Sequence, residues 1–236
     1  MHEQNSLAAF DIEISNVFDL GHGQDLLDFA PFDISVVATE VQGGDQRLWY
    51  TKSASGSPGP NLDKSGAREL LYYLHQLQSS GHRLVAWNGL SFDLRWIGHV
   101  AEDMDRARAV ALDLYDPMFQ FFKVAGFPVG LAKVAEGFGL SMKKLMDGAD
   151  APVRWQAGDY ESVVEYVKGD VALTLLVAQK IEEHSEVRWV TQRGRTSSKR
   201  IGCMRQVKDC LRDPMPDQSW MDSPMKQSDF AQWLDE

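Results

Sequence analysis

The sequence predicts an α/β fold, a mixed sheet flanked by helices with a C-terminal extension. Two observations carry this prediction. Three apolar, β-branched runs precede the first helical pattern, which calls for hairpins and antiparallel pairing. Later strand-like runs alternate with stretches whose apolar residues recur three and four apart, which calls for helical crossovers and parallel pairing.

Leu7 to Ser15 reads as the first strand. Asn16 to Pro31 follows as a loop that is long for a hairpin, and its Phe18, Leu26, Leu27 and Phe29 are expected to pack on the body. Asp33 to Gln42, with its Ile-Ser-Val-Val-Ala-Thr centre, and Arg47 to Thr51 are the next two strands. Lys52 to Asn61 is rich in Ser, Gly and Pro and predicts a loop. Leu70, Leu71, Leu74 and Leu77 form the stripe of an amphipathic helix that Ser79, Ser80 and Gly81 end. Arg83 to Trp87 is a fourth strand, followed by a helix from about Phe92 with Ser91 as its N-cap. Val110 to Leu114 is expected as a fifth strand, and Pro117 to Val124, Leu131 to Phe138 and Tyr160 to Ile181 as helices. The expected organisation is one domain over residues 1–183 and a basic extension over 184–236.

A chain of 236 residues that is 44% hydrophobic can bury a full core. Met1 to Ser6 is polar, and no apolar run approaches the roughly 20 residues of a membrane span, so a soluble, cytoplasmic protein without a membrane partner is expected. Cys203 and Cys210 match neither a metal or redox pair nor a disulfide framework. The net charge of −10 argues against non-specific wrapping of a duplex. From Arg188 to Arg212, however, eight basic residues face one acid, a net +7, which leaves −17 for the rest of the chain. This strip reads either as a solvated face or as a grip on a polyanion.

Four carboxylates lie in three short motifs. In a strand alternate residues share a face, so Asp11 and Glu13 point one way while Phe10, Ile12 and Ile14 point the other. Two acids about 7 Å apart on one strand can bracket a cation, although a strand with one wet face gives the same pattern. Val163, Tyr166, Val167, Asp170, Thr174 and Val177 form one helix stripe, so Tyr166 and Asp170 sit one turn apart on the face that meets the core. A carboxylate there needs a partner, the tyrosine hydroxyl or a cation, unless the stripe is turned to solvent. Glu161, Glu165 and Lys168 fall mainly off the stripe. Asp93, in Asn88-Gly89-Leu90-Ser91-Phe92-Asp93, fits the first turn of a helix, where the dipole favours an acid. Its loop leaves the C-terminal end of a strand, where α/β folds commonly place their chemistry. The ligands are hard oxygens with no Cys or His among them, which suits Mg²⁺ or Mn²⁺. His22, His75, His82 and His99 lack the spacing of a metal site. Asp113 and Asp116 flank Tyr115, with a helix cap before Pro117 expected of them.

Together the motifs resemble the DEDD superfamily of 3′–5′ exonucleases, on the ribonuclease H-like fold, and specifically its tyrosine-bearing branch. Asp11-x-Glu13, Asn88-x-x-x-Phe92-Asp93 and Tyr166-x-x-x-Asp170 occur in the family's order, and the resemblance spans about residues 7–181. The second motif looks most like proofreading domains of family B DNA polymerases and their stand-alone bacterial relatives. Ile14 departs from the threonine that such enzymes often carry after the glutamate. The resemblance implies two Mg²⁺ or Mn²⁺ ions held by Asp11, Glu13, Asp93 and Asp170, with Tyr166 orienting the attacking water. It implies hydrolysis at single-stranded 3′ ends, DNA favoured over RNA, by the chain alone or with a polymerase or helicase partner. Asn88, Phe92, Arg193 and Arg195 are the expected substrate contacts. Trp189, Trp220 and Trp233 suit either base stacking or anchoring of the extension. The rival readings are an internally cutting ribonuclease H-like endonuclease and a non-catalytic nucleic-acid-binding module of the same fold.

Overall fold

The computed structural model describes residues 6–19, 21, 23–140 and 146–236. Met1 to Asn5 and His22 lie outside the described residues.

Strands β1 (Leu7–Ile14), β2 (Ile34–Val41), β3 (Gln46–Trp49) and β4 (Arg83–Val85) form one sheet in the order β3-β2-β1-β4. β2 runs antiparallel to both β1 and β3, and β4 runs parallel to β1 with Leu7 opposite Arg83. The sheet is therefore mixed, as the order of patterns in the sequence predicts. The run Leu-Ala-Ala-Phe makes β1 a central strand buried on both faces. Ala8, Phe10 and Ile12 enter one core, whereas Leu7 and Ala9 enter the other beside Val36 and Ala38 of β2.

The first core is covered by α1 (Lys64–Ser79), α2 (Asp93–Ala101), α3 (Met104–Leu112) and α4 (Pro117–Ala125). α1 buries Leu70, Leu71, Leu74 and Leu77 and is capped by Asp63, which accepts from Gly66 N at 2.8 Å. The second core lies under α5 (Leu131–Gly137), α6 (Ala151–Gln156) and α7 (Tyr160–His184). α7 turns Val163, Val167, Thr174 and Val177 inward, members of the stripe read from the sequence, and buries Val171 beside them.

Beyond α7 the chain forms a hairpin, β5 (Glu186–Val190) with β6 (Thr196–Arg200), and two short helices, α8 (Val207–Cys210) and α9 (Ser228–Ala231). Phe230, Ala231 and Trp233 are buried in the first core, and Phe230 packs on Phe122 with 4.4 Å between ring centroids. Lys123 is buried on α4, where its ammonium donates to Asp213 O at 2.7 Å and to Gln227 Oε1, so this lysine ties the tail to the body. Trp189 and Trp233 are anchors, whereas Trp220 is 63% exposed.

Three expectations need correcting. Val110 to Leu114 is no strand: most of it completes α3, with Val110 and Ala111 buried, and strand character survives just beyond it, where Tyr115 bridges Val85 in parallel and Gln206 antiparallel. A five-residue apolar run fits either state, and tertiary packing chose the helix. Ser91 is not the N-cap of α2. Phe92 holds that position without a side-chain cap, and Ser91 Oγ turns back to Asn88 Oδ1 at 2.8 Å. Leu27 is 41% exposed instead of packed, although Phe18, Leu26 and Phe29 do pack on the core.

Candidate active site

The parallel pairing of β1 with β4 brings the second half of β1 and the loop after β4 to the same end of the sheet. Asp11 and Glu13 lie opposite Ala38 and Val36, on the β1 face that meets α7. A register shift between Glu13 and Ile14 breaks the ladder there, a local irregularity of the kind that re-aims side chains at the end of a strand. Ser35 Oγ donates to Glu13 O at 2.9 Å and holds the shifted backbone. α7 supplies Asp170 from its inward stripe.

Asp11, Glu13 and Asp170 each offer a carboxylate oxygen, and these atoms lie within 4.8 Å of one another. Glu13 is buried, and Asp11 and Asp170 are half-buried. Burial is the largest cause raising the pKa of each, and at Asp11 and Glu13 the neighbouring carboxylates raise it further. Tyr166, one turn before Asp170, lies near the Asp170 carboxyl, and burial with the nearby acids raises its pKa above the usual phenol value. The hydroxyl therefore stays protonated at neutral pH.

Asp93 opens α2, and burial first, then the charge of Asp116, pushes its pKa up to about 7. Its Oδ1 is buried without a hydrogen-bond partner among the described residues, an arrangement that is costly unless something positive meets it. Asp93 lies outside the close set of Asp11, Glu13 and Asp170, but its charge reaches Asp11 and Glu13, and its orphaned oxygen together with the three converging carboxylates, all hard donors, fits a divalent cation site.

The loop that carries Asp93 is held from two sides. Asp116 caps α4 by accepting from Met118 N and Phe119 N, both at 3.1 Å, so the expected cap is present. The same carboxylate accepts from Asn88 N at 3.2 Å and Leu90 N at 3.1 Å. Burial raises the Asp116 pKa to about 6 against the pull of these four N–H groups. From the other side Trp233 Nε1 donates to Leu90 O at 2.8 Å. Asn88 adopts a left-handed conformation (φ 68°), and Gly89 has no room for a side chain, since a Cβ would lie 2.5 Å from Ala86 Cβ. Asp113 instead pairs with Lys208.

A cleft of about 310 Å³ opens beside Glu13, lined mainly by Ile14, Val17, Phe18, Leu26, Phe92 and Pro152. Phe92 thus reaches the site, whereas the Asn88 side chain is engaged by Ser91. Arg193 and Arg195 lie on the turn between β5 and β6, on a different element from the carboxylates. Among the histidines, His75 is exposed on α1 and His82 Nδ1 meets Ser6 Oγ at 2.7 Å. Sequence reasoning missed the cleft wall from α6 and the brace from Trp233. Pro152, near the start of a helix, was a readable signal for α6, because proline favours a first turn. Nothing local to Trp233 points to Leu90.

A family model of the RNase_H superfamily matches residues 53–182, more than half of the chain. The chain belongs to the RNase_H superfamily. The matched span holds Asp93, Tyr166 and Asp170, and β1 with Asp11 and Glu13 precedes it. Membership in this superfamily supports nuclease activity in general and the use of divalent metals. The fold is also similar to the structure of a family B DNA polymerase from the hyperthermophilic archaeon Pyrobaculum calidifontis, with a TM-score of 0.52 and 18% identity over 75% of this chain. The likeness covers 24% of the polymerase chain and, at that identity, concerns the fold alone. A search of curated proteins gave no match. No helix among the described residues is long and apolar enough to cross a membrane.

Proposed function

We propose that this RNase_H superfamily protein is a metal-dependent 3′–5′ exonuclease that releases nucleotides from single-stranded ends, DNA in preference to RNA. The observation that carries the reading is the convergence of Asp11, Glu13 and Asp170, with Tyr166 one helical turn from Asp170. An internal cutter of the same fold has no evident use for that tyrosine, and a module without chemistry has no use for three mutually repelling carboxylates.

Asp11, Glu13, Asp93 and Asp170 would hold two divalent ions, Mg²⁺ or Mn²⁺. Bound there, the ions supply Lewis acidity that activates water and offsets charge on the phosphoryl and leaving oxygens. Tyr166 keeps its proton, so it orients by hydrogen bonding and does not act as a base. The cleft beside Glu13 receives the terminal nucleotide, with Phe92 against the base and Ile14 in contact where relatives often carry threonine. Water attacks the terminal phosphorus, a new P–O bond forms, the bond to the 3′ oxygen of the preceding nucleotide breaks, and that oxygen takes up a proton. The product is a nucleoside 5′-monophosphate. On this reading the chain acts alone or with a polymerase or helicase partner.

Incubation with 5′-labelled single-stranded DNA and RNA of one sequence, and with a circular strand, tests the reading. The expected result with Mg²⁺ or Mn²⁺ is a ladder shortening from the 3′ end and an intact circle. EDTA or Asp11→Ala should leave every strand whole. A cut circle would establish an endonuclease, and uncut strands in all lanes a binding module.

A further inference from the structure

The eight basic residues between Arg188 and Arg212 do not act as one strip. Arg188 pairs with Glu186 and lies over the Phe138 ring, Arg205 pairs with Asp213, Lys208 with Asp113 and Arg212 with Asp209. Their charge is neutralised within the protein. The other four, Arg193, Arg195, Lys199 and Arg200, are exposed and have no ion-pair partner among the described residues. All four belong to the β5–β6 hairpin or its turn. In a chain of net charge −10, a concentration of unpaired cations on one projecting element is a specific feature.

The hairpin is also held rigidly. Trp189 packs edge-on against Phe121 and Phe127, with ring centroids at 5.1 and 5.9 Å. Gly137 of α5 meets the backbone of Arg188 and Trp189 so closely that a Cβ would lie at 2.5 Å. The turn is closed by Thr191 N to Arg195 O at 2.9 Å and Gly194 N to Thr191 O at 2.8 Å, with Gly194 left-handed between the two arginines. The direction follows from the anchors. At its base the hairpin leaves α7 beside Glu182, which pairs with Arg83 at the start of β4. At Trp189 it has reached Phe127, close in sequence to Val129, whose carbonyl accepts from Trp87 Nε1 just past the end of β4. The hairpin thus runs toward the end of the sheet that carries Asp11, Glu13 and the Asp93 loop, and its tip lies beyond Trp189 on that course.

We infer that the β5–β6 hairpin is a docking strip for the phosphodiester backbone of the single strand fed to the carboxylate site, gripped by Arg193 and Arg195 at the tip and by Arg200 on the β6 face opposite the one that buries Val187. This rests on the proposed nuclease reading. Guanidinium groups suit phosphate because their planar fork donates two parallel hydrogen bonds. Strands of five residues, about 17 Å long, offer a narrow track that fits one backbone, and the acidic remainder of the chain disfavours wrapping a duplex.

The test is the affinity of the full chain for fluorescent 20-mers of single-stranded DNA and RNA, measured by anisotropy in EDTA across a salt series. Binding is thereby read without cleavage and without the metal site. Arg193→Glu/Arg195→Glu should weaken binding at least tenfold at low salt. It should also flatten the slope of log affinity against log salt by about 1.4, that is, about 0.7 for each single-strand phosphate that the hairpin no longer neutralises. Arg193→Lys/Arg195→Lys should restore most of the slope. Lys64→Glu/Lys226→Glu, an equal charge change on exposed lysines outside the hairpin, should alter affinity less than twofold. Matched melting temperatures check that the variants fold. Weaker binding to both strands supports the inference, and weaker binding to one also names the substrate. Unchanged affinity in the hairpin variant, an equal drop in the control, or no binding by wild type overturns it. If the 3′ ladder persists in any of those cases, the nuclease reading stands, and absence of the ladder with hairpin-dependent binding retained is the opposite failure.

Discussion

Burial pushes Asp93 up to about 7, with help from the charge of Asp116, and Asp116 itself up to about 6, against an ordinary value of about 3.9. Raised carboxyl values mean that the folded state keeps protons which the unfolded chain has released. The stability that these two carboxyls contribute to the metal-free protein is therefore fully present below pH about 4 and is lost as pH rises through 6 to 7, on the order of a few kcal/mol. Chemical denaturation in EDTA from pH 4 to 8 checks this, and a flat or rising profile would contradict it. Asp11→Asn removes one of the mutually repelling charges, so it should raise the melting temperature in EDTA while abolishing cleavage. Tyr166→Phe leaves every proposed ligand in place and should lower kcat less than Asp11→Ala does; a wild-type rate would remove the tyrosine from the mechanism. Asp11, Glu13, Tyr166 and Asp170 were legible in the sequence because strand and helix periods place each on a definite face. The unpartnered Oδ1 of Asp93 was not, because it depends on how the loop after β4 is packed.

The elements that position the Asp93 loop make their own predictions. Trp233→Phe keeps most of the packing but leaves Leu90 O without its 2.8 Å donor, which should cost about 1–3 kcal/mol of stability. If the brace positions Asp93, kcat should fall with KM little changed, and an unchanged kcat in the folded variant would make Trp233 purely structural. Gly137→Ala should loosen the hairpin, since a Cβ there meets backbone and not a yielding side chain, and should cost about 1–3 kcal/mol. Element types were well read wherever the pattern was long: the stripe of α7 and the three-strand opening of the sheet follow from periodicity alone. Val110 to Leu114 failed because a short apolar run has no period of its own. The path of the tail was illegible because Lys123, Trp233 and their partners are distant in sequence, with Trp233 and Leu90 separated by 143 positions.

Across the whole molecule, charge is divided between an acidic cluster at one end of the sheet and a basic hairpin directed toward it, within a chain of net charge −10. The sequence exposed this asymmetry but not its distribution, because pairing neutralises four of the eight basic residues in the folded chain. The central claim is that the carboxylates are a cation site and not a wet strand face. A melting-temperature titration of EDTA-treated protein with Mn²⁺ and Mg²⁺ tests it most directly. Saturation at 100 times Kd should add about 2.7 kcal/mol, a rise of about 5–10 °C for a chain of this size, and Asp11→Asn should abolish the rise. No rise at saturating metal, or an equal rise in Asp11→Asn, would contradict the account.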